Sequence, residues 1–206
     1  MIELVQAHPA TLSADVLCYP NTSFGFLVTS PLGRELIQTG GPRVEQSIVN
    51  QRPLRLGSAV LGNPGKLAYR HIVHYICYPG WDKWWNRNNT IVAMRSLNAM
   101  LDRVEAQSVV LMLPVQPPFD AAIWPDIIET TAEMVPTDDG RLWKVLVPST
   151  YIASFWPKVE EAEEEPKEEV ELAVEPVPAK IVTKSTQIAS KKSVSNQPVN
   201  VKKKAN

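Results

Sequence analysis

The chain has 206 residues, 44% of them hydrophobic, with 21 Lys and Arg against 22 Asp and Glu for a net charge of −1. That balance exerts no global pull on nucleic acid, two cysteines are too few for a disulfide framework, and no run approaches the ~20 apolar residues of a membrane span. Met1 to Gln6 carry Glu3 and lack the basic-then-apolar pattern of a secretory signal, so a soluble, cytoplasmic protein is expected.

Strand-like and helix-like segments alternate along the first three quarters of the sequence. Ile2 to Gln6 is a short β-type run, and Ala14 to Tyr19 is a second, with a stop predicted at Pro20-Asn21. Leu32 to Gln38 has a helical pattern ended by Gly40-Gly41-Pro42, and Val44 to Asn50 adds a turn or two of helix. Ser58 to Leu61 is a short strand closed by the turn Gly62-Asn63-Pro64-Gly65. His71 to Tyr78 is a β-branched and aromatic strand stopped by Pro79-Gly80. The best helix runs from about Thr90 to Gln107, capped at Asn88 or Asn89, with Ala93, Leu97, Met100, Leu101 and Val104 on one stripe. Val109 to Val115 is an almost wholly apolar strand, as expected for one buried on both faces. A helix from Ala122 to Met134, with Pro125 in its first turn, and a last strand from Trp143 to Val147 complete the series.

Strands alternating with helices predict one α/β domain over residues 1–157, built on a largely parallel sheet with helices on both faces. Ligands of such sheets sit at the carboxyl ends of the strands. Composition then changes. Residues 158–206 hold no aromatic residue, Gly or Cys, and cannot bury enough apolar surface to offset their ordering entropy. All nine acidic residues of this tail fall between Glu160 and Glu175, and seven of its nine Lys between Lys180 and Lys204. The tail is expected to be disordered and acidic-then-basic: a solubilising segment, or one whose tip, Lys202-Lys203-Lys204, touches an acidic surface.

The order of segments resembles that of the macro domain, the ADP-ribose-binding module, across about Met1 to Trp156. Ile2-Glu3-Leu4-Val5-Gln6 is similar to the family's opening strand, and Ala14-Asp15-Val16-Leu17-Cys18 to the strand leading to its Asn-Ala-Ala-Asn. Thr39-Gly40-Gly41-Pro42 resembles the end of its first helix, and Gly57-Ser58-Ala59-Val60 its Gly-x-Ala-x strand. Ile72-Val73-His74-Tyr75-Ile76 resembles Val-Ile-His-x-Val, and Val110-Leu111-Met112-Leu113-Pro114 the strand before the family's phosphate loop. The resemblance implies a three-layer α/β/α mixed sheet. It implies ADP-ribose or a related nucleotide as ligand, with Asn21 at the distal ribose and Ser23 or Gly25 at the phosphate edge. Thr29 and Ser30 stand where the family has its glycine-rich loop, and Phe119 in its second phosphate loop.

The chain departs from the family at those loops. Ala7-His8-Pro9 replaces the stretch whose Asp contacts adenine, and Tyr19-Pro20-Asn21-Thr22 replaces Asn-Ala-Ala-Asn. Thr29-Ser30-Pro31 stands for three glycines, and Pro117-Pro118-Phe119-Asp120-Ala121 for Gly-x-Tyr/Phe-Gly. Diphosphates are cradled by consecutive backbone N–H groups that glycine brings close. Three prolines remove donors, and a carboxylate 4 Å from a phosphate costs about 4 kcal/mol at an effective dielectric of 20. A non-catalytic binding or scaffolding protein is therefore expected, with no catalytic residue and no cofactor. The alternatives are an ADP-ribose-binding or de-ADP-ribosylating macro domain, and a nucleic-acid or virion-type interaction protein.

His71, His74 and Cys77 form no metal site on this reading, because residues three apart on a strand point to opposite faces. Ser23 is not in a Gly-x-Ser-x-Gly elbow, and Gly62 to Lys66 lacks P-loop spacing. Trp81, Trp84, Trp85 and Arg87 lie in a predicted loop at the ligand edge. They read either as a stacking or protein-binding platform or as a hydrophobic staple for the next helix.

Overall fold

The computed structural model describes residues 1–80, 85–114, 121–148 and 155–157. The readings made of residues 158–206, Trp81, Trp84 and Phe119 lie outside these described residues. Six strands form one sheet: β1 (Ile2–Val5), β2 (Ala14–Thr22), β3 (Ala59–Gly62), β4 (Tyr69–Tyr78), β5 (Ser108–Met112) and β6 (Leu142–Leu146). Four α-helices connect them: α1 (Pro31–Gly40), α2 (Arg43–Val49), α3 (Arg87–Arg103) and α4 (Trp124–Met134). The strand order is β1-β6-β5-β2-β4-β3. Every neighbouring pair is parallel except β3 with β4, so the sheet is mixed, with one antiparallel edge. Met1–Glu160 is one compact unit.

The sheet separates two cores, as the period-2 alternation of a strand requires. On one side Val16, Cys18, Val73, Tyr75 and Cys77 pack with Ala93, Met94, Leu97 and Leu101 of α3 and Ile128 of α4. On the other, Leu17, Tyr19, Ile72 and Ile76 pack with Leu36 of α1 and Val44 and Ile48 of α2. The three-layer α/β/α expectation describes this architecture. Alternation also separates His74, whose ring lies edge-on to Tyr19, from Cys77 on the α3 side.

The boundaries of β2, α3 and β5 differ by three residues or more from those read in the sequence. β2 does not stop at Pro20-Asn21 but runs to Thr22, paired with β4 over its length. Its pairing with β5 ends at Cys18↔Leu111, so Pro20 lies where β2 is flanked by β4 alone, the edge-like setting in which a strand tolerates proline. α3 is capped by Asn86, which accepts from Asn89 N, rather than by Asn88 or Asn89. It ends at Arg103 because Glu105 turns left-handed, with φ 52°, two residues on. β5 ends at Met112, short of Val115.

Asp15 anchors the start of β2 to the start of β5. Its Oδ2 accepts from Gln107 N at 2.9 Å, Ser108 N at 3.0 Å and Ser108 Oγ at 3.1 Å, and Arg70 donates to Oδ1. The Gln107 amide leads the donors that hold this carboxyl below its usual range against partial desolvation.

Candidate functional site

All five parallel strands deliver their carboxyl ends to one edge of the sheet, which is where α/β folds place ligands. The loop from Ser23 to Ser30 lies on this edge and carries most of the sequence-predicted ligand residues. Ser30 is the N-cap of α1: its Oγ accepts from Gly33 N at 2.9 Å and meets the Tyr19 hydroxyl at 2.8 Å. Pro31 follows at the first helical position, where no N–H is needed. A Cβ on Gly33 would stand 2.1 Å from Leu27 O, so only glycine lets the loop cross the helix start this closely. Thr29 Oγ1 donates to Phe26 O, and Ser23 donates its backbone N–H to Tyr78 O at 2.9 Å. Gly25 has φ +71°, and its N–H donates to Thr22 O.

Two main-chain donors of this loop are already occupied. Leu27 N and Val28 N both donate to Glu45 Oε1 of α2, at 2.8 and 2.9 Å. A pair of adjacent amides on one anionic oxygen is the arrangement by which backbone nests hold anions, and here the anion is the protein's own carboxylate. Arg34 closes the same loop by donating to Val28 O at 2.9 Å.

Asn21 is fully buried near the end of β2. Its Nδ2 lies 3.3 Å from His74 Nδ1, and its Oδ1 accepts from Thr22 N at 2.7 Å. Burial without a counter-charge pushes His74 down to about 3, so the ring is neutral at physiological pH. With Nδ1 facing the Asn21 amide, the proton sits on Nε2, which has no hydrogen-bond partner among the described residues. Gly62 makes room for that nitrogen, since a Cβ there would stand 2.8 Å from it. Tyr75 and Tyr78 at the end of β4 donate their hydroxyls to Met112 O and Pro114 O, fixing the exit of β5.

A cleft of about 220 Å³ opens beside the ends of β1, β5 and β6. Ala7, His8 and Pro9 after β1, Leu32 of α1, Met112 and Leu113 of β5 and its exit, and Leu146 to Pro148 of β6 and its exit line it. His8 Nδ1 accepts from Ala10 N, which leaves the proton on Nε2, and Nε2 meets Glu35 Oε2 at 2.6 Å. A carboxylate thus reaches the cleft residue His8 from α1 although the segment after β1 contains none. Glu35 and Glu45 were not picked out from the sequence, where nothing marks a carboxylate that binds across 27, 18 or 17 residues.

At the start of α3, the Arg87 guanidinium is committed to α4: it donates to Thr130 Oγ1 and to both carboxylate oxygens of Glu133. Trp85, just before the cap of α3, is half-buried against the core on the α3 and α4 side. The structure therefore gathers Ser23, Gly25, Thr29 and Ser30 in one loop, with Asn21 beneath it and the cleft to one side. The buried thiols Cys18 and Cys77 are pushed well above their usual range by desolvation.

No family model matches the chain. An uncharacterized protein of Aquifex aeolicus (strain VF5) is 32% identical over 73 residues, 35% of this chain and 44% of that protein, so the match spans less than half of that relative. Among solved structures, the macrodomain of Thermus aquaticus DarG superposes with a TM-score of 0.61 at 14% identity, over 72% of this chain and 99% of that one. A variant of the Oceanobacillus iheyensis macrodomain with ADPR superposes with a TM-score of 0.62 at 14% identity, over 75% and 89%. The chain has a macro-domain-like fold. Among the described residues, no helix is long and apolar enough to cross a membrane.

Proposed function

We propose that this protein is a non-catalytic binding module on a macro-domain-like scaffold, acting in the cytoplasm, and that its ligand lies in the cleft beside His8 rather than along a diphosphate-binding loop. The observation that carries this reading is the Glu45 carboxylate on the Leu27 and Val28 amides. Donors that would meet a phosphate are spent on an internal anion, and a second anion beside Glu45 meets like-charge repulsion. Ser30 and Pro31 build a capped helix start in place of a glycine loop. Asn21, turned inward onto His74, presents no amide to a ribose.

The cleft is lined by apolar side chains and the His8 ring, which suits a flat ring. Its volume of about 220 Å³ accommodates a flat ring such as a base. Glu35 bears on the cleft through His8, whose Nε2 it holds at 2.6 Å. Incubation with a mono-ADP-ribosylated protein tests the catalytic half of the proposal: the modification persists, and release of ADP-ribose that depends on Asn21 would refute it.

A second reading, ADP-ribose binding or de-ADP-ribosylation, is favoured by one observation, the likeness in fold to a macrodomain with ADPR. It requires Asn21 to leave His74 and Glu45 to release the loop.

A further inference from the structure

We propose that the outer face of the loop after β2 is a stacking surface for single-stranded nucleic acid. Within the loop, burial alternates. Gly25 and Leu27 face the core, and Leu54 and Ile48 approach Gly25, whereas Phe24 is 55% exposed, Val28 is 44% exposed and Phe26 is half-buried between them. Phe24 and Val28 are two of only five exposed large hydrophobic residues among the described residues, and they stand four positions apart.

Cations frame this ridge. The Arg52 guanidinium lies over the Phe26 ring at 4.5 Å from its centroid, with Nε anchored on Val49 O, and its two terminal nitrogens have no hydrogen-bond partner among the described residues. Arg34 sits at the other end, on Val28 O. Arg55 is exposed, and its guanidinium makes no ion pair among the described residues. The two acids nearest this segment, Glu35 and Glu45, are both engaged, with His8 and with the loop amides.

One exposed ring, Phe24, beside a guanidinium-covered second ring, Phe26, matches a single strand, whose bases stack on an aromatic face while phosphates meet the cations. A buried duplex edge offers no such faces, and an acidic peptide would use the arginines but not the ring of Phe24. This surface does not depend on the cleft or on what the cleft holds.

The test is fluorescence polarisation of a labelled oligothymidylate of about twelve nucleotides, near the upper range of single-strand site sizes, with the full chain at low and physiological salt. The wild type is expected to bind at low salt and to weaken as salt rises. Phe24→Ala is expected to weaken binding about tenfold, as loss of one stacked base does, and Phe24→Trp to restore it. Because Phe24 is exposed, neither substitution threatens the fold, and urea denaturation of each variant checks that. Arg52→Gln is expected to lower both the affinity and its salt dependence. Absence of binding at low salt, or equal affinity of wild type and Phe24→Ala, overturns the proposal; the second outcome would assign any binding to the lysines of the tail. Equal competition by polyglutamate against both wild type and Phe24→Ala would also overturn it.

Discussion

Replacing Asn21 by alanine separates a structural asparagine from a ligand-holding one. Asn21 is fully buried, and its amide serves two partners that are themselves buried, His74 Nδ1 and Thr22 N. The alanine variant leaves both without a bond. Each orphaned buried group costs about 1–3 kcal/mol, so the loss is about 2–5 kcal/mol once some relaxation is allowed. For a domain of this size, 1 kcal/mol moves Tm by about 2–4 °C, and a fall on the order of 10 °C is expected. In urea, the midpoint should drop while the slope stays unchanged, since the surface exposed on unfolding is the same. Affinity for a cleft ligand such as adenosine, measured at a temperature where the variant is folded, should be preserved. An unchanged midpoint together with lost ADP-ribose affinity would show that Asn21 faces a ligand, and would refute the structural role.

His74 predicts a pH dependence. Its folded-state value lies near 3, below the ordinary value of 6.5, so between the two the unfolded chain binds the additional proton. Its contribution to stability is present in full above pH 6.5 and is lost progressively as pH falls toward 3; in His74→Phe this part of the slope, followed by urea midpoints, should vanish. Gly33→Ala places a Cβ 2.1 Å from Leu27 O and should cost at least the ~1–3 kcal/mol of forced overpacking, visible as a lowered thermal midpoint. Cys18 and Cys77, buried and held as thiols, should resist an alkylating reagent in the native state and react on unfolding, as mass spectrometry would record.

The strands were legible because their apolar runs are long and their turns are marked: Gly62 to Gly65 and Pro79-Gly80 close the segments they follow. The helix stripe of α3 was legible from Ala93, Leu97 and Leu101, all buried as the period requires. The errors share a cause. Pro20-Asn21 reads as a stop to any local rule, yet β4, some 55 residues away in sequence, carries β2 past it. The end of α3 is set by Glu105 in a left-handed turn that usually signals its presence with glycine. In the site, it was readable that Thr29 and Ser30 lie in the loop leading to the first helix. That Ser30 caps a helix, that Glu45 takes the loop amides and that Glu35 reaches His8 were not, since each depends on how α1 and α2 dock. Arg87, placed from sequence in an interaction loop, turned out to be spent on Glu133 once α3 and α4 were side by side.

The central claim is that the backbone of this loop no longer grips a diphosphate. Calorimetric titration of the full chain with adenosine and, in parallel, with ADP-ribose measures what the diphosphate and second ribose add. The account predicts affinities within a few-fold of each other, because Glu45 already holds the Leu27 and Val28 amides. ADP-ribose binding about a hundredfold tighter than adenosine, a gain of roughly 2.7 kcal/mol, would contradict it.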